Sequence, residues 1–107
     1  MLESQKGFVV RVIESKDYDI LNVCDEEFLG AKLEEKGLQI DISREFFEGE
    51  KVNDRRLLEL LRSSQIINLT GNRCVSLAVD KGFAHKDAVK KIESVSFLMI
   101  FKFSMSG

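Results

Sequence analysis

The segment from Ser64 to Gly82, SQIINLTGNRCVSLAVDKG, constrains the fold of this chain more than any other. Residues recur in it at spacings of four, three and four, the repeat of one face of an α-helix: Ile67, Gly71, Cys74 and Ala78. Three of them are small, so the helix can pack closely, and we expect its partner to be a β-sheet. The pattern predicts a central helix over residues 64–81 that ends at Gly82, a residue type favoured in a left-handed helix terminus.

A second interpretation of the same segment is open. In it residues 66–67 belong to a strand, and the helix starts at Gly71 with Thr70 as its N-cap. The amides of Gly71, Asn72 and Arg73, aided by the Arg73 side chain, then form an anion site, because unpaired N–H groups carry positive partial charge there. No phosphate-loop consensus accompanies this segment.

The other segments predict strands and one further helix. Residues 7–24 form a β-hairpin interrupted at residues 16–19, and residues 38–42 alternate as a strand that buries Leu38, Ile40 and Ile42. Asn53 is a good N-cap for a leucine-rich helix over about 53–63. We therefore predict one α+β domain over 1–107, ordered over about 7–103. An N-terminal hairpin and further strands form a mostly antiparallel or mixed sheet, packed against two main helices at about 53–63 and 64–81.

The C-terminal segment is apolar on both faces. Residues 88–94 and 95–103 are extended, as one bent strand or as a hairpin that turns near Glu93 and Ser94. Alternation places Phe97, Met99, Phe101 and Phe103 on one face, and Leu98, Ile100 and Lys102 on the other. Such a strand either lies inside a covered sheet or meets another chain. The second case predicts a homodimer through Phe97–Phe103.

Composition limits the compartment and the chemistry. The chain has 107 residues, a net charge of −2 and two cysteines without a partner motif, so we expect reduced, buried thiols and a cytoplasmic protein. Its first residues do not resemble a signal peptide, and no apolar run is long enough to span a membrane. His85 is the only histidine and lies in a polar segment, so we predict a surface residue, and no catalytic residue, metal or cofactor is predicted.

Acidic and amide side chains form one candidate ligand or partner surface. Asp25, Glu26 and Glu27 are expected to start a short helix capped by Asp25, with divalent-cation binding as the alternative reading. Asn68 is expected to be a partly buried amide that holds a neighbouring loop or a ligand. The complete candidate surface is Asp25, Glu26, Glu27, Asn68, Asn72 and Arg73.

Charge is distributed unevenly along the chain. Residues 1–50 hold 13 acidic and 6 basic residues, whereas residues 51–107 hold 5 acidic and 10 basic residues. Folding either interleaves the two halves or keeps them apart. Phosphate contacts are one reading of the basic residues, and a solvated helix face is the other. The candidate contacts are Arg55, Arg56, Arg73, Lys86, Lys90 and Lys91.

Phe46 and Phe47 follow the strand at 38–42 in a polar turn. They are predicted to fill the margin of the core, and base stacking or anchoring of a partner is the alternative.

Several motifs in order resemble a known family. They are Cys24–Gly30, the Phe46–Glu50 turn, the leucine-rich helix and Asn68–Arg73 with Val75 and Ala78. Over residues 8 to about 100 the chain is similar to an archaeal domain-of-unknown-function family, number 424. The family ends in a valine, a proline, a histidine, a small residue and a glutamine, where this chain has Val95–Met99. The resemblance implies an archaeal cytoplasmic protein with a compact mixed fold and no known reaction.

Three functions fit these observations. The first is a non-enzymatic binding or adaptor module for RNA or protein, suggested by the uneven charge and the two-faced last strand. The second is a small-molecule or anion-binding enzyme with its site near Asn68 and Arg73. The third is a structural homodimer through the C-terminal strand.

Overall fold

Residues 6–47 and 49–102 are described by the computed structural model, with backbone only for Phe46 and Phe47. The predicted roles of these two phenylalanine side chains and of Phe103 therefore lie outside the described residues. Eleven elements follow in chain order: β1 (Phe8–Glu14), β2 (Asp19–Asp25), β3 (Lys32–Glu35), β4 (Leu38–Asp41), α1 (Arg44–Phe47), β5 (Glu50–Val52), α2 (Asp54–Ser63), β6 (Ile66–Thr70), α3 (Asn72–Asp80), β7 (Lys90–Ile92) and β8 (Val95–Phe101). Short 3-10 turns span Glu26–Phe28 and Lys86–Ala88.

The strands form a six-stranded mixed sheet and a separate hairpin. The order in the large sheet is β5-β1-β2-β6-β8-β7, and β3 pairs with β4. Only the pairing of β2 with β6 is parallel among the described strands. The predicted single α+β domain with a mixed sheet is confirmed.

The predicted N-terminal hairpin is present, and so is a hairpin in the C-terminal segment, one of its two interpretations. β1 and β2 pair from Phe8 opposite Asp25 to Glu14 opposite Asp19. β7 and β8 join through Glu93 and Ser94, whose φ angles are 50° and 71°. The C-terminal segment is therefore a hairpin and not one bent strand.

The long helix predicted over 64–81 is wrong, and the second interpretation holds. Residues 66–70 form β6 between β2 and β8, and α3 begins only at Asn72. Ile66, Ile67 and Thr70 are β-branched and suit a strand, while Gly71 has a φ of 130° that ends it. Gly71 and not Thr70 is the N-cap, without a side-chain hydrogen bond.

The helices pack on one face of the sheet, called here the helix face. Leu57, Leu60 and Leu61 of α2 and Cys74, Val75 and Ala78 of α3 are buried there against residues such as Leu21, Val23, Ile67, Leu69 and Leu98. The expectation that Cys74 and Ala78 face the sheet is therefore confirmed. Gly82 follows α3 with a φ of 83°, the left-handed conformation that was predicted.

The opposite side, called here the second face, is covered only in part. Cys24, Leu33, Ile42 and Val95 form a second cluster there, with the β3–β4 hairpin above the sheet. Leu38 is 53% exposed, so the prediction that it is buried is wrong, because β4 lies outside the large sheet. Within residues 6–47 and 49–102, no helix is long and apolar enough to cross a membrane.

Candidate functional site

The carboxylate of Asp25 closes the N-terminus of α3. Asp25 ends β2 with its side chain fully buried, and its two oxygens accept hydrogen bonds from the amides of Arg73 at 2.7 Å and Cys74 at 2.9 Å. The side chain does not cap the adjacent 3-10 turn, so that prediction is corrected. A carboxylate from another strand thus satisfies the amides that the helix itself leaves unpaired.

Gly71 makes this contact possible. A Cβ atom at residue 71 would overlap the carboxylate group of Asp25, and the φ of 130° is one that L-residues rarely adopt. The Gly71 amide donates to the carbonyl oxygen of Ser96 at 2.8 Å. The anion site predicted at this helix terminus is therefore occupied by the protein's own carboxylate.

Arg73 holds the surrounding loop together. Its guanidinium donates to both oxygens of Glu27, at 2.8 and 2.6 Å, and to the carbonyl oxygens of Lys6 and Gly7. It also lies 4.8 Å from the centre of the Phe8 ring. Arg73 is committed to these contacts and is a positioning residue more than a free cation.

The three consecutive acidic residues have separate partners. Glu26 accepts from the Gly7 amide at 2.9 Å and forms an ion pair with Lys51 at 3.2 Å, while Asp25 and Glu27 contact α3 and Arg73. Within the described part of the chain, no group of three or more His, Cys, Asp or Glu side chains is placed to hold a metal ion.

The electrostatics follow from burial and pairing. Burial raises the pKa of Asp25, and the amide donors and Arg73 offset this effect only in part. The Arg73 hydrogen bonds hold the pKa of Glu27 below its usual value, and the Gly7 amide and Lys51 lower the pKa of Glu26. Burial raises the pKa of the Cys24 thiol to about 12 and that of Cys74 well above its usual value. Both cysteines are free and buried, as predicted.

The two predicted asparagines lie apart. Asn72 bridges to the β7–β8 hairpin, accepting from the Ser96 amide at 2.9 Å and donating to the Ser94 carbonyl oxygen at 3.1 Å. Asn68 lies on the second face and donates to the Asn22 side chain at 2.9 Å, so its hydrogen-bond partner is on a neighbouring strand and not in a loop. Asn68 and Arg73 therefore do not line one cleft.

Three clefts on the helix side of the molecule share residues in their walls. The first has a volume of about 560 Å³ and lies beside the start of α2; its cations are Lys6, Lys51 and Arg55. The second, of about 420 Å³, shares Asp54 with the first and includes Arg73. The third, of about 340 Å³, shares Asn72, Ser76 and Asp80 with the second and ends at Lys86 and Lys91.

We call the cations along these clefts the cation track: Lys6, Lys51, Arg55, Arg73, Lys86 and Lys91. Lys6 and Lys51 were not predicted, because 45 positions separate them and only the fold brings them together. Arg56 forms an ion pair with Glu59 at 3.0 Å, and Lys90 lies on the edge strand β7 at the position next to Lys91. His85 is exposed, as predicted, and lies beside Lys86 in a further cleft.

The balance of charge differs between two segments of the chain. Residues 53–91, which include both main helices, contain eight basic and four acidic residues. Residues 26–50, which include the β3–β4 hairpin on the second face, contain three basic and eight acidic residues. Ion pairs nevertheless join the two halves of the sequence, since Lys51 contacts Glu26 and Arg73 contacts Glu27.

An apolar stripe crosses the second face at the end away from the β3–β4 hairpin. Pairing aligns Ile13 with Ile20, Ile20 with Ile66 and Ile66 with Phe101 across four strands. Ile13 is 37% exposed and Phe101 54%, and the neighbouring Met99 is 58% exposed. The two-faced last strand therefore has one buried face and one that is largely open.

Comparisons with known proteins identify a family and a fold. The family model described as "Protein of unknown function (DUF424)" matches residues 13–103. The crystal structure of an uncharacterized conserved protein from Methanopyrus kandleri is similar, with a TM-score of 0.75 and 24% identity over 94% of this chain and 98% of that chain. At this identity the likeness shows the fold. Comparison with curated proteins gives no match.

Proposed function

The chain belongs to this family of proteins of unknown function, DUF424, and we propose that it is a non-enzymatic cytoplasmic module that binds structured RNA. The observation that carries the proposal is the cation track. The two free, buried thiols suit a reducing compartment. The side chains of Asp25, Glu27 and Arg73, which belong to the candidate surface, are hydrogen-bonded to other groups of the protein.

The cations at the two ends of the track are available to a ligand. Arg55, Lys86 and Lys91 have no ion-pair partner among the described residues. Lys51 and Arg73, nearer the acidic residues, are paired with Glu26 and Glu27. A polyanion that follows the clefts would therefore contact free cations at both ends, and contacts to the phosphate backbone are of this kind.

Structured RNA fits the track better than a protein or a single strand. The cores of protein interfaces are apolar and aromatic, whereas the wall of the first cleft contains Lys6, Lys51 and Arg55 beside the polar Asn53 and Asp54. Single strands stack their bases on exposed aromatic rings. The ring of Phe8 lines the second cleft, but this residue is only 2% exposed and lies beneath Arg73. Double-helical RNA is recognised by shape and backbone contacts, which this surface can supply.

A titration at two salt concentrations tests the proposal. We expect a fluorescent RNA hairpin to bind at 50 mM salt and to bind at least about tenfold more weakly at 200 mM, because cations that contact phosphates release counterions. The triple variant Arg55→Ala, Lys86→Ala, Lys91→Ala should lose affinity and reduce the salt slope by about two to three.

A second triple variant is the matched control. Lys32→Ala, Lys36→Ala and Arg44→Ala remove the same number of cations from the segment that covers the second face. We expect this variant to bind RNA within about twofold of the natural chain. No binding at 50 mM salt, binding insensitive to salt, or an equal loss in both triple variants would contradict the proposal.

A further inference from the structure

The third cleft, between α3 and the segment that leads into β7, has apolar side chains on both sides. Val75 and Val79 lie on α3, and Val89 directly precedes β7. Val75 is buried, and the half-buried Val79 and Val89 pack against the main core. The volume of about 340 Å³ lies in the range of ligand pockets, roughly 300–1,000 Å³. The cation track therefore ends at a cleft with an apolar floor.

Three charged side chains line the same cleft. Lys86 belongs to a 3-10 turn, Lys91 to β7 and Asp80 to α3. All three are exposed, and none has an ion-pair partner among the described residues. The cleft thus offers two cations and one carboxylate to a ligand that enters it.

The stability of the fold does not account for Asp80. It is the last residue of α3, and a carboxylate is unfavourable at the C-terminal end of a helix, where the dipole is negative. Asn72, which lines the cleft too, is used by the fold, because it bonds to the backbone of Ser94 and Ser96. The carboxylate of Asp80 is therefore the group in this cleft with acceptors to offer.

A carboxylate in this position favours one of the four RNA bases. It has two acceptor oxygens and no donor. Guanine has two adjacent donors on its Watson–Crick edge, N1–H and the 2-amino group, whereas adenine, cytosine and uracil do not have two donors side by side. Aspartate can therefore bind guanine through two parallel hydrogen bonds. The faces of a base taken out of its stack suit apolar side chains such as these valines.

We propose that the third cleft binds one unpaired guanine of a structured RNA. Asp80 accepts hydrogen bonds from N1–H and the 2-amino group, and the three valines contact the ring. Lys86 and Lys91 contact the phosphates on either side of the nucleotide. The inference rests on the proposed RNA binding and adds a base preference to it, since RNA sequence is commonly read at bulges and loops with unstacked bases.

Guanine fits this cleft better than an apolar side chain of a protein partner. Such a side chain could cover the valines, but it would bring no donor to Asp80 and no anion to Lys86 and Lys91. A nucleotide brings both, and an RNA that follows the cation track carries its phosphates to this end of the track. Charge complementarity therefore selects the nucleotide.

Binding of matched RNA hairpins tests the base preference. We compare a fully paired fluorescent hairpin with hairpins that carry a single bulged guanosine, adenosine or inosine, at about 50 mM salt. The guanosine bulge should bind at least about tenfold more tightly than the adenosine bulge, because two parallel hydrogen bonds discriminate strongly between bases. Inosine lacks the 2-amino group, so its affinity should lie between the two. The fully paired hairpin should still bind through the cation track.

Two aspartate variants test the role of the carboxylate. Asp80→Asn should bind the guanosine and adenosine bulges within about twofold of each other, because asparagine offers a donor in place of one acceptor. It should bind the fully paired hairpin no more weakly than the natural chain, and urea unfolding should be unimpaired. Asp87→Asn removes the same charge next to Lys86 but outside the wall of the third cleft, so it should keep the guanine preference.

Photo-cross-linking tests the location. A bulged 6-thioguanosine keeps both N–H donors and reacts with nearby side chains under near-ultraviolet light. Mass spectrometry should find the cross-link within residues 72–80 or 86–91. Equal binding of the guanosine and adenosine bulges, a preference that survives Asp80→Asn, or a cross-link elsewhere would overturn this inference, while binding of the paired hairpin would uphold the proposed function. Failure of every hairpin to bind would overturn both.

Discussion

The carboxylate of Asp25 lies in the space that a side chain on Gly71 would occupy, so the two residues are tied to one another. Asp25 needs residue 71 to be glycine in order to reach the amides of α3. Because of this dependence, the junction between β6 and α3 is a sensitive point of the fold.

Gly71→Ala should lower the free energy of unfolding by about 3 kcal/mol, because the new methyl group meets Asp25 and the backbone conformation is strained. Urea unfolding measures the loss. Gly82→Ala is the control, since no atom lies within 4 Å of its Cβ position and only the left-handed conformation is penalised, at about 1 kcal/mol. Equal losses in the two variants would show that Asp25 does not fill the space beside Gly71.

Asp25→Asn should lower the free energy of unfolding by about 2 kcal/mol at pH 7. The NH2 group of the asparagine would face the backbone amide of Arg73 or Cys74, and two donors cannot form a hydrogen bond. Burial raises the pKa of Asp25, so the folded chain binds this proton more tightly than the unfolded chain. The stability from Asp25 is then greatest below its unfolded value of about 3.9 and falls as the pH rises through the folded value. Urea unfolding at pH 3 and at pH 7 should therefore show that Asp25→Asn lowers the free energy of unfolding more at pH 3.

Glu27→Gln should show the opposite dependence on pH. Arg73 lowers the pKa of Glu27, so the stability of this pair is present above the unfolded value of about 4.3 and is lost as the pH falls through the folded value. At pH 7 we expect a loss of about 1 kcal/mol, since Arg73 is 37% exposed and water weakens the pair. Glu14→Gln is the control, since Glu14 is exposed and has no ion pair among the described residues. It should leave the free energy of unfolding unchanged at pH 3 and at pH 7.

Both cysteines should resist thiol reagents in the folded chain. Burial raises the pKa of Cys24 to about 12 and that of Cys74 well above its usual value, so almost no thiolate forms near pH 8. A reagent that releases a coloured group on reaction with a thiol should give no change in absorbance with the folded chain. After denaturation the change should correspond to two thiols. An added Leu38→Cys thiol should react at once, and rapid labelling of the natural chain would disprove the burial of its cysteines.

Local patterns predicted much of the fold. Two apolar segments around a polar turn identified the β1–β2 hairpin, whereas the β7–β8 hairpin was one of two interpretations of its segment. Asn53 marked the start of α2, where its side chain accepts from the Arg56 amide at 2.9 Å. The structure of residues 64–81 was harder to predict. Apolar residues at helical spacing occur in one long helix, and they occur equally in a short apolar strand that is followed by a helix. Parallel pairing with β2 decides between the two, and no local pattern encodes that pairing.

The candidate site was predicted in part for the same reason. Asp25, Glu27 and Arg73 do come together, but the sequence did not show that Asp25 would cap a helix 48 residues away. Asn68 was grouped with Arg73 because the two are close in the chain, and the strand places its side chain on the opposite face. Lys6 and Lys51 meet only in the folded molecule.

The parallel pairing of β2 with β6 also has a consequence for synthesis on the ribosome. Ile20 pairs with Ile66, so the first hairpin is synthesised well before its neighbouring strand. Until the codons for residues 66–74 have been read, the inner edge of β2 has no strand beside it and Asp25 has no helix to cap. The centre of the sheet therefore cannot form strand by strand during synthesis, and its folding must wait until residues 66–74 have left the ribosome.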